Sequence, residues 1–87
     1  MTVRGYTPLS RVKYTRTAQV QKGVVDFESI VSTNDTIPIS EYTAIAGAML
    51  RKKSDNTVVT CTVATNIITV TQATLTDEPV VGSAYET

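Results

Sequence analysis

Residues 57–71 read TVVTCTVATNIITVT, with six threonines in fifteen positions. Val59, Cys61 and Val63 alternate with Thr60 and Thr62; after Ala64-Thr65-Asn66, Ile68 and Val70 alternate with Thr69 and Thr71. A period of two marks strands. Opposed residues of an antiparallel pair share a face, so apolar meets apolar only across an even-numbered loop. A two-residue loop at Thr65-Asn66, or a four-residue loop from Ala64 to Ile67, sets Val63 against Ile68, Cys61 against Val70, Thr62 against Thr69 and Thr60 against Thr71. Asn66 is the loop residue expected to tolerate a positive φ. One hairpin face is then aliphatic with a thiol, and the other is a threonine grid that stays wet while keeping β-branched side chains. The T-x-T units resemble ice-binding solenoids, but those arrays need stacked repeats and this chain has none.

Threonine, valine and isoleucine supply 34 of 87 residues against three leucines. β-branched residues fit pleated, half-buried surfaces, so the fold class expected is mainly β: a small antiparallel β-sandwich or barrel. The length allows one domain, and a chain this short buries roughly 60–65% of its unfolded surface. With one cysteine and no histidine it has neither an internal disulfide nor a zinc set, which leaves oligomerisation as the usual reinforcement.

Around this hairpin the chain divides into an N-terminal arm, residues 1–10, and a single β-rich domain, residues 11–87. In SRVKYTR, Val12 and Tyr14 alternate with Arg11 and Lys13, and Gly23 is read as a turn. Val25, Phe27 and Val31 alternate with Asp26 and Glu28 as a further strand. Pro38 removes a ladder donor, which assigns Ile37-Pro38-Ile39 to a sheet edge. Residues 41–53 are open between two forms. A helix has Ser40 as its cap and Ala44, Ile45, Ala48 and Met49 on one stripe; a strand alternates Tyr42, Ala44, Ala46, Ala48 and Leu50, and the turn at Ser54-Asp55-Asn56 favours it. LTDEPVVGSAYE predicts an acidic turn and a short last strand with Val81 and Tyr85 on one face.

Nothing in the pattern points to catalysis. A chain without histidine lacks the usual general base and any partner to activate Cys61, which reads as a small core hydrophobe. Asp26 and Glu28 share a face and read as a solvated pair, while Asn34-Asp35 and Asp77-Glu78 are turn formers without the spacing of a calcium loop. The expectation is a non-enzyme with no cofactor, metal or catalytic residue. No run approaches the ~20 apolar residues of a membrane span, and MTVRGYTPLS has no apolar core of a signal peptide, so a chain made and kept in a cytosolic context, or delivered by a route other than secretion, is expected.

The eight basic and eight acidic residues cancel but are unevenly placed. Arg4, Arg11, Lys13, Arg16 and Lys22 all precede the first acid, Asp26, whereas Asp77, Glu78 and Glu86 close the chain. Arg4, Tyr6, Arg11, Lys13, Tyr14 and Arg16 are therefore the residues expected to contact a partner. Two partners fit them. One is the acidic surface of a neighbouring copy, carrying Asp77, Glu78 and Glu86; the other is single-stranded nucleic acid bound by an OB-like module, which the zero net charge disfavours. Carbohydrate stacking is weaker still without tryptophan.

Residues 47–86, GAMLRKKSDNTVVTCTVATNIITVTQATLTDEPVVGSAYE, resemble the small Thr/Val-rich β proteins that decorate or complete the capsids of tailed bacteriophages. The likeness lies in a polar turn, two Thr-Val strands and the D-x-P-V-x-G-x-A-Y close formed by Asp77, Pro79, Val80, Gly82, Ala84 and Tyr85. It covers about half of the chain. It implies a virion structural protein, assembled in the host cytoplasm, that forms a homo-oligomer, binds a capsid or head–tail surface and catalyses nothing.

Overall fold

A computed structural model describes residues 2–15 and 21–87, with side chains for all of these except residues 11–15, 21 and 22. Eight strands occur among them and no helix: β1 (Thr7–Thr15), β2 (Gln21–Val31), β3 (Thr36–Pro38), β4 (Ile45–Lys52), β5 (Val58–Val59), β6 (Cys61–Ala64), β7 (Ile67–Val70) and β8 (Glu78–Glu86). They form two antiparallel sheets, a five-stranded one in the order β1-β2-β8-β4-β5 and a three-stranded one in the order β3-β7-β6. One core fills the space between them. Val25, Phe27, Val31, Leu50, Val80 and Ala84 enter it from the larger sheet, and Ile37, Ile68 and Val70 from the smaller.

The threonine-rich stretch folds with the register its alternation requires: Cys61 opposes Val70, Thr62 opposes Thr69, Val63 opposes Ile68, and Thr65-Asn66 is the loop. The chain also changes sheet within it. Val58–Val59 pairs with β4 in the larger sheet, Cys61–Ala64 with β7 in the smaller, and exposed Thr60 is the corner between them. Its carbonyl accepts the Thr71 and Gln72 N–H groups at 2.9 and 3.1 Å, and its hydroxyl accepts from Thr71 Oγ1 at 3.3 Å. Thr36, Thr69 and Thr62 form a row across the outer face of the smaller sheet. Hydroxyls thus hold one corner and keep one face wettable.

The left-handed residue of the loop is Thr65, at φ 56°, in place of the expected Asn66. The Asn66 side chain is engaged elsewhere: its Nδ2 donates to the carbonyls of Ile39 and Tyr42, each at 3.2 Å. A β-branched residue in this region costs on the order of 1 kcal/mol that asparagine does not. Thr65→Asn is expected to raise stability by about 1 kcal/mol, a rise of roughly 5 °C in Tm, and a thermal melt showing no gain would remove the strain argument.

Residues 41–53 contain no helix; Ile45–Lys52 is a strand. A bulge at Ala46 intervenes, since Ile45 opposes Glu86 and Gly47 opposes Tyr85, and it shifts the alternation. Ile45 and Leu50 are therefore buried, while Ala46, expected on the Ala48 and Leu50 face, is exposed. Gly23 is no turn: it lies inside β2, where a Cβ would collide with the Tyr42 ring. The last strand is long rather than short and lies at the centre of the larger sheet. Val81 and Tyr85 do share a face, but it is the outer one; Val80 and Ala84 face the core. Pro38 sits on the edge strand β3, as its missing donor demands.

Strand β1 begins at Thr7, inside the stretch read as an arm. Residues 2–6 lie against the domain: Val3 bridges Thr36 in parallel, Arg4 N–H donates to Thr36 O at 2.7 Å, and Thr36 N–H donates to Thr2 O at 2.9 Å. The edge of β3 that Pro38 weakens as a donor is thereby covered by the chain's own beginning.

Candidate protein-interaction surface

The six residues expected to contact a partner separate into two groups. Arg4 is held at the end of the domain where β2 runs into the turn 32–35. Its Nε donates to Asp35 Oδ2 at 2.7 Å, and its Nη2 donates to Asp77 Oδ1 at 2.7 Å and to Ser32 Oγ at 3.4 Å. Tyr6 packs edge-on against Phe27 with ring centroids 5.5 Å apart; its hydroxyl lies 3.3 Å from Ser40 Oγ and accepts from Glu41 N–H at 3.3 Å. Both side chains are engaged within the chain. Arg4 does meet Asp77, one of the acids expected to receive the arm, but that aspartate is its own.

Arg11, Lys13 and Tyr14 lie on β1, in register with Val25, Gly23 and Lys22. Arg16 falls outside the described residues. The last pair of β2 with β8 is Val24 with Tyr85, so the β1–β2 ladder from Lys13–Gly23 to Thr15–Gln21 continues beyond the rest of its sheet. A basic ribbon therefore projects at one end, while Asp77 and Glu78 sit at the other, beside Val31. β1 alone rises roughly 27 Å, so Arg4 and the ribbon cannot form one patch.

Sequence reasoning missed the socket that holds Arg4. Asp35 is the one buried charged residue among those described, 2% exposed. Its carboxylate accepts Ser32 N–H at 2.8 Å, Arg4 Nε at 2.7 Å and Thr2 N–H at 3.0 Å. These donors, Ser32 first, hold its pKa below the ordinary 3.8 against the opposing push of burial. The local signal was the Ser32-to-Asp35 spacing of a side-chain-capped turn; nothing nearby marked the distant arginine.

The two acids of β2 have partners within the chain. Asp26 accepts from Ser10 Oγ at 3.0 Å and Ser83 Oγ at 2.5 Å, and Glu28 pairs with Lys53 at 3.2 Å. Burial raises the pKa of the Cys61 thiol, which disfavours the reactive thiolate. Among the described residues no three His, Cys, Asp or Glu side chains gather into a metal-binding set. No known protein family, curated protein or solved structure matches the chain.

Proposed function

We propose that the chain is a non-catalytic structural assembly protein, a virion component of the capsid-associated, decoration or head-completion kind, that works by packing against copies of itself and against another protein surface. The observation that carries this reading is the projecting β1–β2 ribbon, residues 13–15 paired with 21–23, which carries Lys13 and Lys22 and no acid, opposite an end bearing Asp77 and Glu78. Such polarity favours docking of the ribbon onto an acidic neighbour and steers the encounter. The virion setting rests on the likeness of residues 47–86 to small phage head proteins.

Sedimentation velocity over a concentration series is expected to show self-association. Charge reversal of Arg11 and Lys13 to glutamate is expected to weaken docking roughly tenfold or more at low salt, with the circular dichroism spectrum unchanged. An unaltered association would count against the ribbon. A folded monomer that binds oligonucleotides with a steep salt slope would instead identify a single-stranded nucleic-acid-binding protein.

A further inference from the structure

The five-stranded sheet has an outer face that none of the described residues covers. Ile30, Met49 and Val58 are 50%, 51% and 59% exposed there, on β2, β4 and β5. Between β2 and β4 runs β8, which turns Val81 and Tyr85 outward. Three large apolar side chains left on one face of so small a domain indicate a contact surface.

The charges on this face are sorted by strand. β2 turns Asp26 and Glu28 outward; β4 and the residue after it carry Arg51 and Lys53; β8 between them carries no charge on this face. The rows align, because Glu28 opposes Val81 and Val81 opposes Arg51. Lys53 reaches across β8 to Glu28, which puts both on the same side of the sheet.

Stacking two copies through this face allows two in-plane two-fold arrangements. An axis perpendicular to β8 lays β2 over β2 and brings acid onto acid. An axis parallel to β8 lays β2 over the other copy's β4, so that Glu28 meets Arg51 twice and Val81 meets itself. We propose that the outer face of the five-stranded sheet is the contact surface of a two-fold dimer of this chain, with its axis parallel to β8. The area suits a weak but specific pair: five strands of this length cover roughly 600 Å² per copy, near the lower limit of stable interfaces. Because such an axis preserves strand direction, both basic ribbons leave the dimer at the same end. Two ribbons side by side then engage one partner surface with the advantage of linkage. This deepens the assembly reading and rests on it.

The test uses the full chain with Cys61→Ser, carrying either Val81→Cys on the axis or Thr62→Cys on the outer face of the smaller sheet, and a short bis-maleimide linker. Val81→Cys is expected to give a covalent dimer and Thr62→Cys is not. In sedimentation, R51E is expected to raise the dissociation constant about tenfold or more at low salt, and E28R/R51E is expected to restore it. Dimers that persist while Val81→Cys fails to cross-link, or cross-links no better than Thr62→Cys, overturn this surface but leave the assembly reading standing. A monomer at every concentration overturns both.

Discussion

Replacing Gly82 with valine is expected to prevent stable folding at room temperature, and replacing it with alanine to lower stability by about 2 kcal/mol. A Cβ at this position would lie 2.6 Å from Leu50 Cδ2, 2.7 Å from the Met49 carbonyl oxygen and 2.9 Å from Phe27 Cζ. Leu50 can yield by rotating its end. The Met49 oxygen belongs to the backbone of the neighbouring strand, and the Phe27 ring is fully buried and pressed by Tyr6, so neither can retreat without moving a strand. Gly82 lies at the centre of the middle strand, between Val80 and Ala84, and the small residues at 82 and 84 make room for Phe27 and Leu50. A domain of this length has only about 4–13 kcal/mol in total. Gly47 is the control, because a Cβ there meets nothing within 4 Å. Gly47→Ala is expected to be neutral or to gain up to about 1 kcal/mol by restricting the unfolded chain. Urea unfolding of the three variants decides the matter, and equal stabilities for Gly82→Ala and the parent would refute the packing account.

That comparison also marks what the sequence could convey. Alternation is a local property, and it carried the strands, the hairpin register and the inward set of Val25, Phe27 and Val31, though it left the two-residue and four-residue loops open; the missing donor of Pro38 carried its edge position. It fails where one residue breaks the period: the bulge at Ala46 moved Ile45 into the core, and the corner at Thr60 split one apparent strand between two sheets. Gly23 and Gly82 looked like turn or motif glycines because the rings and carbonyls that exclude a side chain come from distant segments. The site suffered in the same way. Arg4 and Tyr6 belonged, by charge and spacing, with Arg11 and Lys13; their engagement with Asp35, Asp77, Phe27 and Ser40 depends on contacts 21 to 73 residues away, which no short-range pattern encodes.

The Arg4 socket is expected to dominate the acid sensitivity of the fold. The Asp35 carboxyl titrates below its ordinary 3.8 because Ser32 N–H, Arg4 and Thr2 N–H stabilise its ionised form. A group with a lowered folded-state pKa contributes stability that is fully present above the unfolded value and is lost as pH falls through the folded one. Stability should therefore hold down to about pH 4 and decline below it. Asp35→Asn removes this linkage: the variant is less stable at neutral pH, where Arg4 loses its buried partner, and its stability changes less between neutral and acid conditions. A residual slope remains from Asp55, whose pKa is held down by Thr57. Arg4→Ala leaves the carboxylate with its backbone donors alone, so its pKa rises toward the unfolded value, and the acid decline becomes shallower and is complete at a higher pH. Urea unfolding across a pH series reads all three curves, and amide exchange at Thr36, which donates to Thr2 O, reports the release of the N-terminal segment. Parallel curves for parent and Asp35→Asn would show that the acid limb arises elsewhere. A shallower limb in Arg4→Ala, with Thr36 exchanging before the rest of the sheet, would place the first acid-driven opening at the segment that covers β3.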